Sequence, residues 1–336
     1  MGRVADQLRQ AEFDQWLWPH ISRKAALIEA MLETTSNLYQ NVEGPIVPKY
    51  KGTPSLRLIA EPSRDGLIIG KMDHHRPVLF VNAISYRGLE EAARLADRLH
   101  HVEEARRWSL SAEAIRKAWE AKFSPPLSDN DRTFISALWP SWVATAKRRD
   151  LELFADRRWQ ARHDETGAYR TPPLWTYFEL AETHQWLFLD RLDRTWATLN
   201  WFWDHQSSPG LYTWWEGTGE ENSFGRWTRV RGWVTPPHVT PHYWTAAEMA
   251  LLQMDMLGYL DEHDGEPVLV IGGGIPQQWI GREMDVRKLR VGNVLLDWRW
   301  NGQSMTAVIH GERRVKIKLG TSFPKTADLK VTYQET

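Results

Sequence analysis

Cysteine is absent from all 336 residues, which rules out disulfides and thiolate metal sites and suits a reducing compartment. Long apolar runs are absent too. No stretch approaches the ~18 consecutive apolar residues of a membrane-spanning helix, and the opening MGRVADQLRQAEFDQWLWPH is charged throughout. The expected setting is a soluble, cytoplasmic protein. There is no surplus of either charge: 42 Lys and Arg against 43 Asp and Glu leave a formal net charge of −1. That removes the electrostatic case for nucleic acid or an anionic membrane as partner. What the chain has in excess is tryptophan, 20 against 9 tyrosines, within an apolar content of 42% that is ample for a sizeable core. So many indoles point to an aromatic-lined cavity or to an aromatic core, and composition alone does not choose between them.

Periodicity places helices first and strands last. Residues 5–33 carry apolar positions at helical spacing, with Pro19 expected to start or kink a turn. Residues 42–76 are rich in proline and glycine and read as a long ordered loop or a pair of short strands. Helical blocks follow at 77–99, 101–123, 132–146, 149–163, 173–189, 190–206 and 241–263, several joined by only a few residues, as in antiparallel hairpins. After Gly265 come short β-branched runs broken by Gly and Asn: EPVLVIGGG, RKLRVGNVLLDWRWNG, QSMTAVIHG, RRVKIKLG and LKVTYQ. The expectation is a mainly α protein with two domains. A toroid of α/α helical hairpins spans 1–264, and a small antiparallel, sandwich-like β-domain spans 265–336. No fixed-period repeat supports an open solenoid.

Chemistry-bearing residues gather in two loops. Glu61, Asp65, Asp73, His74 and His75 lie in AEPSRDGLIIGKMDHHRP, and Glu216, Glu220 and Glu221 lie in LYTWWEGTGEENSFGRW. Aromatic faces stack on the apolar faces of sugar rings, and paired carboxylates do acid/base work on glycosidic bonds, inverting enzymes holding theirs about 6.5–9.5 Å apart. Trp214, Trp215, Trp227 and Trp233 sit in the loop and are the stacking candidates, whereas Trp139, Trp142, Trp175, Trp186 and Trp244 fall in helical blocks, where core packing is the default. His74, His75, His238 and His242 lack the HExxH arrangement of a zinc site, so no metal is expected, and hydrogen bonding to substrate hydroxyls is the better role. GGGIP (272–276) lacks dinucleotide-fingerprint spacing and reads as a turn, so no cofactor is expected.

Four segments carry a family resemblance. EPSRDGLIIGKMDHHRPVLFVNAISYRGLEEAARLADRL resembles the stretch of six-hairpin glycosidases in which an acidic loop precedes a helix. LYTWWEGTG is similar to the segment that carries their general base, PPHVTPHYWTAAEMALLQMDML to their last long helix, and LVIGGGIPQQWI with VGNVLLDWRWNG to the β-domain after the barrel. The likeness covers most of residues 55–302 and runs to the mannosyl-oligosaccharide glucosidase family and, more distantly, the glucoamylases. It implies an inverting glycoside hydrolase acting on an oligosaccharide or small glycoside, with Glu216 as general base. The acid falls on Asp65, where Arg64 stands in place of the family's tryptophan, with Asp73 and Glu61 as rivals.

Six hairpins need twelve helices and the pattern yields eight or nine, so a truncated or split barrel is expected, completed by a homodimer or a complementing chain. Two other readings compete. One is a carbohydrate-binding protein without a working acid pair, and the other is a sugar epimerase that uses histidines on the same toroid.

Overall fold

In the computed structural model, residues 2–39, 58–70, 79–124, 132–173, 175–207, 209–217, 240–262, 267–311 and 315–334 are described below. Contacts divide the chain into two compact units, residues 1–151 and 152–336.

In the first unit, helix α1 (Gly2–Leu8) ends at Arg9, whose φ is +48°, and α2 (Ala11–Glu33) then runs unbroken through Pro19. The interruption expected at the proline therefore comes ten residues earlier, at a left-handed residue. Strand β1 (Leu38–Tyr39) pairs with β2 (Leu58–Arg64), and β2 forms a hairpin with β3 (Leu67–Gly70). Helices α3 (Leu79–Arg98) and α4 (Val102–Lys122) form the first helical hairpin. Asn82 of α3 ties the hairpin to β3. Fully buried, its side chain accepts from the Ile68 N–H at 2.8 Å and donates to the Ile68 carbonyl at 3.1 Å, as a neighbouring strand would. Arg98 closes α3 against α1 and α2 through Asp6 and Asp14. The block 132–146 is not a helix. It holds two short 3-10 turns (Thr133–Ile135 and Thr145–Lys147), with Pro140 unable to donate a helical hydrogen bond and Trp142 at φ +61° between them.

The division between units falls within α5 (Arg148–Arg162). Helices α6 (Thr176–Phe188) and α7 (Leu192–Asp204) form the hairpin of the second unit. It is built like the first. His100 at φ +62° and Asp190 at φ +60° occupy the left-handed position after α3 and α6. The next N–H reaches back five residues in each case, His101 to Ala96 at 2.8 Å and Arg191 to Trp186 at 2.9 Å. These are Schellman caps in which histidine and aspartate stand where glycine is usual. Asp190→Gly is expected to raise stability by about 0.5 kcal/mol, and Asp190→Val to lower it by about 1–2 kcal/mol. Thermal midpoints should rank Gly above Asp above Val.

Helix α8 (Tyr243–Leu257) runs directly into β4 (Gly258–Asp261), which the periodicity had absorbed into the helix. Among the described residues, seven strands follow the helical part in two sheets. One has the order β4, β5 (Val268–Ile271), β9 (Lys316–Leu319). The other has the order β10 (Asp328–Gln334), β8 (Ser304–His310), β7 (Val294–Trp300), β6 (Met284–Val291). The expected antiparallel pairing holds for β4–β5, β6–β7 and β7–β8, but β5–β9 and β8–β10 are parallel, each reached by a crossover connection rather than a hairpin. Alternate residues of β7 (Val294, Leu296, Trp298, Trp300) pack with Leu269 and Ile271 of β5 in one apolar core. The 272–274 glycines make a close-packed turn. A Cβ on Gly274 would lie 2.3 Å from Met256 side-chain carbons.

Candidate functional site

Prolines 172 and 173 precede α6, and neither N-cap side chain, of Trp175 or His242, caps a backbone N–H of its helix. A single extended stretch supplies what the caps do not. The Thr176 N–H donates to the Glu216 carbonyl at 3.0 Å, the His242 N–H donates to the Trp214 carbonyl at 3.0 Å, and Trp175 bridges Gly217. Thr176 adds a hydroxyl bond to the Trp215 carbonyl and sits 2.7 Å from the Thr245 hydroxyl, which is itself 2.7 Å from His242 Nδ1. These bonds pin residues 214–217 across the N-terminal ends of two helices, where backbone N–H groups and the helix dipoles favour negative charge. Glu216 is half-buried there. Burial pushes the His242 imidazole down, and the charge of Glu216 partly offsets that shift, so the two side chains share one electrostatic environment.

Around them lies a run of aromatic rings. Trp175 and Phe178 are 6.0 Å apart, Phe178 and Tyr177 5.6 Å, Tyr177 and Trp244 5.8 Å, and Trp244 and His242 5.9 Å. Trp244 is 66% exposed, although its helical position made core packing the default. Trp214 is only 2% exposed and its indole N–H donates to the Phe202 carbonyl at 2.8 Å. Its edge borders an open groove of about 690 Å³ that also includes Trp203, Tyr212 and Gln253. Trp215 is half-buried, edge-on to Trp201.

Two of the acid candidates, Asp65 and Glu61, lie in the first unit. Asp65 is exposed on the β2–β3 turn at φ +56°, 3.7 Å from Lys122 Nζ, and Glu61 is half-buried in β2 opposite Ile69. Asp73, His74, His75, Trp227, Trp233 and His238 lie outside the described residues, as do Glu220 and Glu221.

Sequence reasoning missed the polar interior of α6. From Glu179 to Phe188 every residue is buried, including two acids and a histidine. On one side Arg158 Nε donates to Glu182 at 2.8 Å, and Arg158 and Arg162 both approach Glu179. Burial pushes the Glu182 carboxyl up while Arg158 pulls the other way. Nearby, burial lowers His163 to about 4, its ring stacked 3.6 Å from Trp159. On the other side His184, fully buried, is 2.6 Å from Glu248 and 3.1 Å from Asp255 of α8. The signal was there. Glu179 and Glu182 stand three apart, matching Arg158 and Arg162 four apart on the preceding helix, but helical spacing does not reveal which helix is enclosed on all sides. Among the described residues no group of three or more His, Asp or Glu side chains is arranged to hold a metal ion, and no helix is long and apolar enough to cross a membrane.

No protein-family model matches the chain, and no curated protein matches it. Among solved structures, a GH78 family rhamnosidase of Bacillus sp. GL1 superposes with a TM-score of 0.50 at 13% identity, the match covering 100% of this chain. The chain spans about a third (33%) of the length of that structure. At this identity the likeness is one of fold: helical hairpins followed by β-structure.

Proposed function

We propose that the protein is a glycoside hydrolase of the inverting type, with Glu216 as the general base that activates water and the acid supplied by Glu61, Asp65 or Asp73. The observation that carries this reading is the placement of Glu216: a half-buried residue whose backbone carbonyl accepts the Thr176 N–H at the start of α6 and whose carboxylate charge acts on His242, the residue before α8. Such a carboxylate can accept a proton from water while the aromatic rings hold the apolar face of a sugar. The fold likeness to a rhamnosidase supports the same class of chemistry and adds rhamnosides to the substrates worth testing. The substrate is then an oligosaccharide or small glycoside. The epimerase reading gains no support from His242, which is 8% exposed with Nδ1 held by Thr245.

The test is release of reducing sugar from α- and β-linked oligosaccharides and aryl glycosides, rhamnosides included, by wild type and by folded Glu216→Gln. Hydrolysis present in wild type and lost in the variant supports the assignment. Binding of a sugar without hydrolysis of any substrate would favour the carbohydrate-binding reading instead.

A further inference from the structure

Three buried contacts link the Trp215 carbonyl to the His242 ring, and each has one possible direction. Thr176 and Thr245 are fully buried, and each has a single hydroxyl proton to donate. The Thr176 hydroxyl donates to the Trp215 carbonyl, which can only accept. Its oxygen lies 2.7 Å from the Thr245 oxygen, and with its own proton committed it must accept there, so Thr245 is the donor. The Thr245 proton is then committed as well. At 2.7 Å from His242 Nδ1 the Thr245 oxygen can only accept, so the ring nitrogen carries the proton. The reverse direction would leave the two threonine oxygens 2.7 Å apart with no proton between them.

A backbone carbonyl at one end thus decides the tautomer at the other. Burial pushes the His242 imidazole down, so near neutrality the ring holds one proton, on Nδ1, and Nε2 keeps its lone pair. A chain that ends on a carbonyl passes no proton onwards, so the two threonines orient the ring and carry nothing out of the site. The negative charge of Glu216 acts on the same ring. The site therefore offers two acceptors, a carboxylate and an imidazole lone pair. A water molecule donating one proton to each has both O–H bonds committed and its own lone pairs free, the orientation a nucleophile needs beside its base.

We infer that Thr176 and Thr245 are positioning residues that hold His242 as the Nδ1–H tautomer, and that its Nε2 is the second acceptor, with Glu216, for the water that attacks the glycosidic carbon. The water oxygen bonds to that carbon as the bond to the leaving oxygen breaks. One water proton passes to Glu216, the other stays on the oxygen as the product hydroxyl, hydrogen-bonded to Nε2, and the general acid protonates the leaving oxygen. The role in holding water rests on the glycosidase reading, and the tautomer does not.

The experiment records the ring nitrogens of isotope-labelled histidine by long-range proton–nitrogen NMR correlation at neutral pH, with His242→Gln identifying the signal of residue 242. It compares wild type, Thr245→Val and Thr245→Ser, and the same proteins enter the hydrolysis assay. Expected in wild type is a protonated Nδ1 and an unprotonated Nε2, the reverse of the tautomer that free histidine favours. Thr245→Ser should keep that state. Thr245→Val, which removes the acceptor, should shift the ring toward Nε2–H. In the assay kcat should fall about tenfold or more in Thr245→Val, with KM within about twofold of wild type, and recover in Thr245→Ser. A wild-type ring protonated on Nε2 overturns the inference, whether or not any variant folds. An unchanged tautomer in folded Thr245→Val removes the positioning role of the threonines. A shifted tautomer with kcat unaltered overturns the role in holding water, and a raised KM in that case makes Nε2 a contact to substrate instead. If that role fails while Glu216→Gln still abolishes hydrolysis, the glycosidase reading survives. If wild type hydrolyses no substrate, that reading and the water role fall together, and the spectrum alone decides the tautomer.

Discussion

Glu216→Gln is expected to lower kcat/KM for glycoside hydrolysis by about 10²–10⁴-fold, the usual contribution of a positioned general base, with the fold unchanged. The two parts of the expectation have separate structural causes. Stability at this position comes from the backbone: the Glu216 carbonyl accepts the Thr176 N–H, the Trp214 carbonyl accepts the His242 N–H, and glutamine keeps both. Catalysis is assigned to the carboxylate, which glutamine replaces with a group that cannot take a proton from water. Circular dichroism and a thermal midpoint within a degree or two of wild type would establish the first part, and steady-state kinetics the second. A folded variant with full activity would remove Glu216 from the chemistry. The same assay on Glu61→Gln, Asp65→Asn and Asp73→Asn identifies the acid. Its loss should cost most on substrates with poor leaving groups, because protonation of the departing oxygen matters most there.

The largest effect on stability is expected at His184. Its ring is fully buried and both nitrogens face carboxylates, Glu248 at 2.6 Å and Asp255 at 3.1 Å, so the pair of contacts is best made by an imidazolium donating twice. Burial by itself pushes the imidazole down, but the hydrogen bonds it donates to Asp255 and Glu248, with their charges, outweigh it and the net direction is up. A folded-state value above the unfolded one means the stabilisation is fully present below about pH 6.5, the unfolded value, and is lost as pH rises through the folded value. Wild type should therefore lose stability as pH is raised above about 6.5. His184→Leu leaves two carboxylates of α8, Glu248 and Asp255, without their partner on α6, at an expected cost of about 3–5 kcal/mol near pH 6. It should also flatten the decline above pH 6.5. Chemical denaturation of both proteins from pH 5.5 to 9 checks both statements, and a variant with the wild-type slope would show that His184 does not carry the pH dependence.

Much of the fold was legible in the sequence. Helical spacing located α3, α4, α5, α6 and α7 to within a few residues, and Gly- and Asn-broken β-branched runs located the strands after Gly265. The failures have particular causes. Residues 132–146 are apolar at helical spacing, yet Pro140 and the left-handed Trp142 prevent a helix, and a 241–263 helix stops at Leu257 because Gly258 to Asp261 find a partner strand in β5. Strand pairing is a long-range event that local spacing cannot anticipate.

At the candidate site the balance shifts further towards tertiary structure. The sequence by itself determined that disulfides are excluded, that helices precede strands, and that acids and tryptophans are concentrated around residue 216. Only the tertiary structure decided which faces are covered. Two tryptophans on comparable local evidence part company: Trp214, in a loop, is 2% exposed because its indole reaches the Phe202 carbonyl, and Trp244, in a helix, is 66% exposed because it sits at the first turn of α8, where the helix begins at the surface. The same holds for α6, whose acids and histidine are buried because Arg158, Arg162, Glu248 and Asp255 come from other helices to pair with them. Burial and charge pairing are properties of neighbours far apart in the chain, and spacing along the chain does not encode them.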